Sequence, residues 1–95
     1  MANSDRGRAI IAGGLANHRR IEIIRLLQTR GSLCINEVAT ECRIDVATAS
    51  QHAKRLHEAG LVKKLAVGRR VQLYPTRRAT TLIGTLDLLS EAPAD

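Results

Sequence analysis

The sequence contains no phenylalanine and no tryptophan, and Tyr74 is its only aromatic residue. Proteins that bind single-stranded nucleic acid or RNA commonly stack the bases on aromatic side chains. The chain also has no run of 18 apolar residues, and its N-terminus lacks the apolar segment of a signal peptide. These absences disfavour a single-strand reader and a membrane protein. We therefore expect a cytoplasmic protein whose partners do not include a membrane.

Motifs for catalysis, metal binding and cofactor binding are also missing. The sequence has no carboxylate–histidine pair, no glycine-rich phosphate loop and no complete set of metal ligands. Ser50 and His52 are two residues apart on a predicted helix and face different directions. His52 and His57 are five residues apart, or about 140° around a helix, whereas a metal pair on one face needs a spacing of three or four. We expect no enzyme, no metal and no cofactor.

Positive charge is concentrated in one part of the chain. The formal net charge is +6 over 95 residues, and residues 43–78 hold nine Lys and Arg against two acidic residues. That window carries +7, and the rest of the chain sums to −1. A segregated basic surface is typical of a protein that binds a polyanion. Since the sequence disfavours single strands, the expected partner is double-stranded DNA.

Apolar spacing predicts five helices and one β-hairpin. The predicted helices are residues 4–15, a stretch capped by Asn17 that stops near Gly31, residues 33–42, a stretch capped by Asp45 that ends at Ala59 and Gly60, and a last stretch that Thr76 or Thr80 begins. Alternation with a period of two predicts the hairpin, with Leu61, Lys63 and Leu65 before a turn at Gly68, Val71 and Leu73 after it, and Pro75 at its end.

The helix that Asp45 caps has two distinct faces. One face is apolar at helical spacing and is expected in the core; it consists of Val46, Ala49, Ala53 and Leu56. The other face carries Ala47, Thr48, Gln51, Lys54, Arg55 and Glu58. Small and hydrogen-bonding side chains in the first turns let a helix approach base edges, and cations farther along meet phosphates. An ordinary surface helix is the alternative interpretation.

Two helices joined by a short turn at residues 43–45 and followed by a basic hairpin are typical of a winged helix-turn-helix. We predict a single, mainly α domain over residues 1–95, in the order α-α-α-α-β-β-α, with the helix-turn-helix at 33–59 and the wing at 61–75. The residues predicted to contact DNA are Ala47, Thr48, Ser50, Gln51, His52, Lys54, Arg55, Lys63, Lys64, Arg69 and Arg70.

Three stretches carry a family resemblance. Residues 15–27 read LANHRRIEIIRLL, residues 47–62 read ATASQHAKRLHEAGLV, and residues 67–76 read VGRRVQLYPT. They resemble the first helix, the recognition helix and the wing of the ArsR/SmtB family of dimeric winged-helix transcriptional repressors. In the first stretch Asn17 and His18 stand where the family has Asp-Pro. The second stretch is the most specific, since it keeps Ser50, His52, Leu56 and Ala59 to Val62 of the family signature.

The resemblance implies a homodimeric repressor that places two recognition helices on an imperfect palindrome. The family dimerises through its first and last helices, here residues 1–16 and 77–91. Apolar stripes on both segments indicate an interface independently, since they offer more apolar surface than one small monomer needs. The residues assigned to this interface are Ile10, Ile11, Leu15, Leu82, Leu86 and Leu89. The alternative is that these stripes close the core of a monomer.

The sequence does not identify an effector. Metal-sensing members of the family often carry Cys-x-Cys before the recognition helix or Asp-x-His on the last helix, whereas here Asn36 follows Cys34 at that spacing and Asp87 precedes two leucines. Cys34 and Cys42 are candidate redox residues, with buried inert thiols as the alternative. If one helix holds both, they lie about 12 Å apart along its axis, too far for a direct disulfide. A thiol- or metal-responsive sensor, and a protein-interaction module with little DNA binding, stay as alternative functions.

Overall fold

The computed structural model describes residues 17–90 of the chain, and its first element is helix α1, His18–Arg30. The side chain of Asn17 caps α1, because its Oδ1 accepts a hydrogen bond from the backbone N–H of Arg19 at 2.8 Å. Gly31 ends the helix at φ 86°, a positive value that favours glycine. The predicted start and end of this helix are confirmed. The helix predicted for residues 4–15, with Ile10, Ile11 and Leu15, lies outside the described residues.

Helices α2, Ile35–Cys42, and α3, Val46–Glu58, are joined by a short turn. Arg43 adopts the left-handed conformation at φ 57°. Asp45 then caps α3, since its Oδ1 accepts a hydrogen bond from the backbone N–H of Thr48 at 2.6 Å. These residues are the ones predicted to form the turn and the cap, and the helix-turn-helix is confirmed.

A three-stranded antiparallel sheet replaces the predicted two-stranded hairpin. Strands β2, Val62–Val67, and β3, Arg70–Pro75, form the hairpin, and β1, Leu33–Cys34, pairs with the other side of β3. The assignment of Leu33 and Cys34 to a helix is therefore wrong. A two-residue strand has no periodicity of its own, and its partners on β3 lie some forty residues along the chain.

Helix α4, Arg77–Ser90, begins directly after the sheet. Thr76 begins it rather than Thr80, because the Thr76 Oγ1 accepts a hydrogen bond from the backbone N–H of Ala79 at 3.3 Å. A bidentate ion pair then joins α4 to α1: the guanidinium of Arg25 donates to both carboxylate oxygens of Asp87, at 2.5 and 3.2 Å. The four described helices and the basic hairpin make a mainly helical winged helix-turn-helix.

One core lies between the helices and the sheet. Its most completely buried large side chains are Ile23, Ile24, Leu27, Val38, Leu56, Leu61 and Leu73. Ala49 and Ala53 are buried as predicted, but Val46 is 47% exposed, because it lies in the first turn of α3 at the edge of the buried stripe. Leu65 and Val71 are also exposed, contrary to the alternation. Leu65 pairs with Gln72 and so lies on the face of the hairpin opposite buried Leu73, whereas Val71 lies beyond the end of the pairing with β1.

Candidate nucleic-acid interface

Helix α3 presents a continuous polar face to solvent. Its buried side, formed by Ala49, Ala53 and Leu56, packs in the core and fixes the helix on the domain. The side opposite carries the exposed residues Ala47, Thr48, Gln51, Lys54, Arg55 and Glu58. Small and hydrogen-bonding residues occupy its first two turns, and cations follow them. This order matches what a helix in a major groove requires.

The two cations of this face are differently engaged. Lys54 is exposed, and Arg55 lies 3.8 Å from the carboxylate of Glu58, one turn along the helix. Both members of that pair are about half exposed, and ion pairs of this kind contribute little to stability. A DNA phosphate can therefore replace Glu58 as the partner of Arg55 at small cost.

His52 lies on the edge of α3 that faces α1. Its Nδ1 accepts a hydrogen bond from the Nε of Arg20 at 3.3 Å. Burial lowers the pKa of His52, and the positive charges of Arg20 and Arg19 lower it further. The neutral ring then carries its proton on Nε2, since Nδ1 is the acceptor. His52 thus contacts the neighbouring helix α1.

His57 lies on a different edge of the same helix, toward the wing. Its side chain is exposed, and its Nδ1 lies 3.3 Å from the carbonyl oxygen of Val62. The two histidines thus contact different elements, as their spacing predicts. Among residues 17–90, no group of three or more His, Cys, Asp or Glu side chains is arranged to hold a metal ion.

The wing presents its cations on more than one surface. Lys64 pairs with buried Leu73 and Lys63 with Tyr74, so the two lysines lie on opposite faces of the hairpin. Lys64 is accordingly half-buried and Lys63 exposed. Arg69, in the turn, and Arg70, at the start of β3, are both exposed. Lys63 and Lys64 are neighbours in the sequence, but the fold places them on opposite faces of the hairpin.

A cleft of about 170 Å³ lies between α3 and the wing. Its lining combines cations, polar side chains and apolar side chains: Cys34, Ile35, Asn36, Val46, Ser50, Arg69, Arg70 and Val71. Asn36 and Val46 were not among the predicted DNA contacts. Val46 was assigned to the core face instead, because its spacing to Ala49 and Ala53 fits the buried stripe. Asn36 is brought to the cleft only by tertiary packing, for which the sequence carries no local sign.

Both thiols are buried in the core. Cys34 and Cys42 are each 3% exposed and are free cysteines. Burial raises the pKa of Cys42, and the nearby carboxylate of Glu22 raises it further, so this thiol stays protonated at neutral pH. Cys34 precedes α2 instead of lying within it, and its backbone N–H donates to the carboxylate of Glu37 at 2.9 Å. The redox role of the two residues stays a prediction.

The last helix leaves apolar surface uncovered at its C-terminal end. Leu82 and Leu86 pack partly against the core, whereas Leu89 is 69% exposed. Leu88, which lies outside the predicted stripe, is 71% exposed. Neither α4 nor any other helix of residues 17–90 combines the length and apolarity needed to cross a bilayer.

Comparison with known proteins gives matches in sequence. Residues 17–64 match the profile of the bacterial regulatory proteins of the arsR family. The chain is also 38% identical over 90 residues to the HTH-type transcriptional regulator YceK of Bacillus subtilis strain 168. That alignment covers 92% of this chain and 90% of the relative.

Solved structures give matches in fold. The crystal structure of a possible transcriptional regulatory protein from Mycobacterium bovis, fragment 1–100, superimposes with a TM-score of 0.83 at 25% identity, over 90% of this chain and 92% of that one. A solution NMR structure from the same organism has a TM-score of 0.82 at 24% identity, over 100% of this chain and 94% of that one. The latter is a homodimeric winged helix-turn-helix DNA-binding domain of a possible ArsR-family regulator.

Proposed function

The chain belongs to the arsR family of bacterial regulatory proteins and is a transcriptional regulator with a DNA-binding winged helix-turn-helix, and on that premise we propose that it is a homodimeric repressor of a pseudo-palindromic operator. The observation that carries the proposal is the exposed polar face of α3 beside a basic wing. The family consists of transcriptional regulators, and we assign no catalytic residue. A regulator of bacterial chromosomal DNA acts in the cytoplasm.

Base reading and phosphate binding are assigned to different residues. Thr48 and Gln51 are exposed in the first two turns of α3, where a helix in the major groove meets base edges. Lys54, Arg55 and the wing cations are assigned to phosphates, which give affinity without sequence preference. The remaining predicted contacts, Ala47, Ser50 and His52, flank the base-reading residues on the same helix.

The proposed dimer uses the last helix and the N-terminal segment. Exposed Leu88 and Leu89 lie near the end of α4, where a second copy can cover them. The related Mycobacterium bovis domain is homodimeric. In this proposal residues 1–16 and 77–91 form the interface, residues 33–59 are the helix-turn-helix whose second helix enters the major groove, and residues 61–75 are the wing. Two symmetric recognition helices require a site with two related halves.

A sensor function receives less support from the described residues. Both thiols are buried, and the raised pKa of Cys42 disfavours the reactive thiolate. Asp87, the acidic residue of the last helix, precedes two leucines instead of completing an Asp-x-His motif, and it already forms the bidentate pair with Arg25. The proposal therefore includes no effector.

The division of roles is tested by measuring the affinity of the full chain for duplex DNA at several salt concentrations. The operator is first recovered by selection from random duplexes. We expect wild-type affinity to fall with a slope of about 0.9 per neutralised phosphate in a plot of log K against log salt. Gln51→Ala should lose about 1–3 kcal/mol on the operator and little on random duplex. Arg70→Ala should weaken binding to both and reduce the slope by about one per protomer.

Arg30→Ala is the matched control for Arg70→Ala, because it removes the same charge from an arginine that pairs with Glu41 at 2.9 Å on the α1 side of the domain. It should change the slope less. A wild-type slope near zero contradicts DNA binding and favours the protein-interaction module. Equal losses on operator and random duplex from Gln51→Ala and Arg70→Ala contradict the separate roles.

A further inference from the structure

Val46 is an exposed apolar side chain that adds little to the stability of the folded monomer. It is the first residue of α3, directly after the Asp45 cap, and it is 47% exposed. An isopropyl group gains free energy when it leaves water, and β-branched residues are weak helix formers. The Asp45 cap and the buried face of α3 explain why this helix forms. They do not explain why its first residue is a valine.

The surroundings of Val46 indicate what covers it. It lies four residues before Ser50, about 40° away around the helix, so the two share the edge of α3 that borders the cleft. Arg69 and Arg70 of the wing line the same cleft from the opposite side, and Ile35 and Val71 add further apolar side chains. A phosphate held by the wing arginines brings the attached nucleotides to this edge of the helix.

Thymine offers the chemistry that fits this valine. Its C5-methyl group is the apolar feature that distinguishes it from the other bases in the major groove, and apolar side chains recognise it by contact. We propose that Val46 contacts the C5-methyl group of one thymine in each half of the operator. The protein then binds an operator with thymine at that position more tightly than one with another base. This inference rests on the proposed operator binding and adds a residue to its specificity-determining set.

The test removes one methyl group at a time from DNA. The duplex recovered by selection is prepared with each thymine replaced singly by deoxyuridine, which lacks the C5-methyl group and pairs in the same way. At one thymine per half-site, the replacement should weaken wild-type binding about threefold to fivefold. Val46→Ala should bind the thymine duplex as weakly as wild type binds the uracil duplex, and it should bind both duplexes equally.

Leu65→Ala is the control, because Leu65 is 52% exposed on β2 but does not line the cleft. This variant should keep the wild-type response to deoxyuridine. Val46→Thr keeps the branched shape and one methyl group, so its loss of affinity on replacement of thymine by deoxyuridine should be intermediate. Circular dichroism of each variant verifies that the helices are intact.

Two results would overturn the inference while leaving the proposed function in place. One is a Val46→Ala variant that responds to deoxyuridine as wild type does at every thymine. The other is a selected operator with no fixed thymine in its half-sites. If wild type binds no duplex with a salt-dependent affinity, the proposed function fails, and the inference fails with it.

Discussion

The imidazole of His52 lies between the recognition helix and α1, and its charge state depends on that contact. The guanidinium of Arg20 donates to Nδ1, and the ring is surrounded by positive charge and partly withdrawn from water. Protonation of this ring opposes both effects, since it removes the acceptor and places a third cation beside Arg19 and Arg20. The folded state therefore favours the neutral imidazole of His52.

This arrangement predicts a pH dependence of stability. The folded-state pKa of His52 lies below the unfolded value, so the unfolded chain takes up a proton first as the pH falls. The stability is complete above the unfolded pKa, near 6.5, and is lost as the pH drops through the folded value. His52→Gln, which keeps an acceptor for Arg20 but does not titrate, should lose less free energy of unfolding between pH 7 and pH 5. Urea denaturation at both pH values measures this, and parallel losses in the two proteins would contradict it.

At the scale of elements, the end of α3 is tied to the start of α4. The Oγ1 of Thr76 donates to the carbonyl oxygen of Gly60 at 2.7 Å, and Nη1 of Arg78 donates to the carbonyl oxygen of Ala59 at 3.0 Å. The bond to Ala59 satisfies a carbonyl group that a helix leaves unpaired at its C-terminal end, and the bond to Gly60 satisfies the carbonyl of the residue that follows the cap. The recognition helix and the last helix therefore behave as one body at this corner.

Gly60→Ala should disrupt this corner. Gly60 has φ +74°, and an added Cβ lies 2.6 Å from Nη1 of Arg78, so the substitution strains the backbone and displaces the guanidinium. We expect a loss of about 2 kcal/mol or more in the free energy of unfolding. Arg78→Ala is the control, and it should cost less in the Gly60→Ala background than in the wild type, because the added Cβ has already displaced the guanidinium. Equal losses in the two backgrounds in chemical denaturation would show that Arg78 is not disturbed.

The helices and strands also differ in how far they can be predicted from the sequence. Asn17, Asp45 and Gly31 begin or end helices through bonds within three residues or through their own backbone, so local patterns locate them. Strand β1 and the contact of Arg20 with His52 join residues more than thirty positions apart, and no local pattern encodes them. The face of α3 could be predicted because its period is complete over three turns, whereas Val46 could not, since a terminal residue is covered by whatever lies beyond the helix.

At the scale of the whole molecule, the exposed leucines of α4 predict a dimer. The double substitution Leu88→Glu and Leu89→Glu should give the solution mass of one chain at micromolar concentration, because two carboxylates per chain would have to be desolvated in the interface. DNA affinity should fall with it, since each half-site is then bound separately. Light scattering and sedimentation measure the mass.

Val67→Glu is the control for this substitution, because Val67 is also an exposed apolar residue but lies at the tip of the wing, away from α4. It should keep the mass of two chains. A double variant of α4 that also keeps that mass would place the dimer interface elsewhere on the molecule.

The corner between α3 and α4 also bears on the spacing of the operator. In the proposed dimer the last helices fix the two chains to each other, and the bonds from Thr76 and Arg78 fix each recognition helix to its last helix. The distance and the rotation between the two recognition helices are then properties of the protein. One inserted base pair lengthens the DNA by about 3.4 Å and rotates one half-site by about 35°. The operator should therefore be intolerant of such insertions, because the bonds at this corner oppose the rotation that the change in helical phase requires.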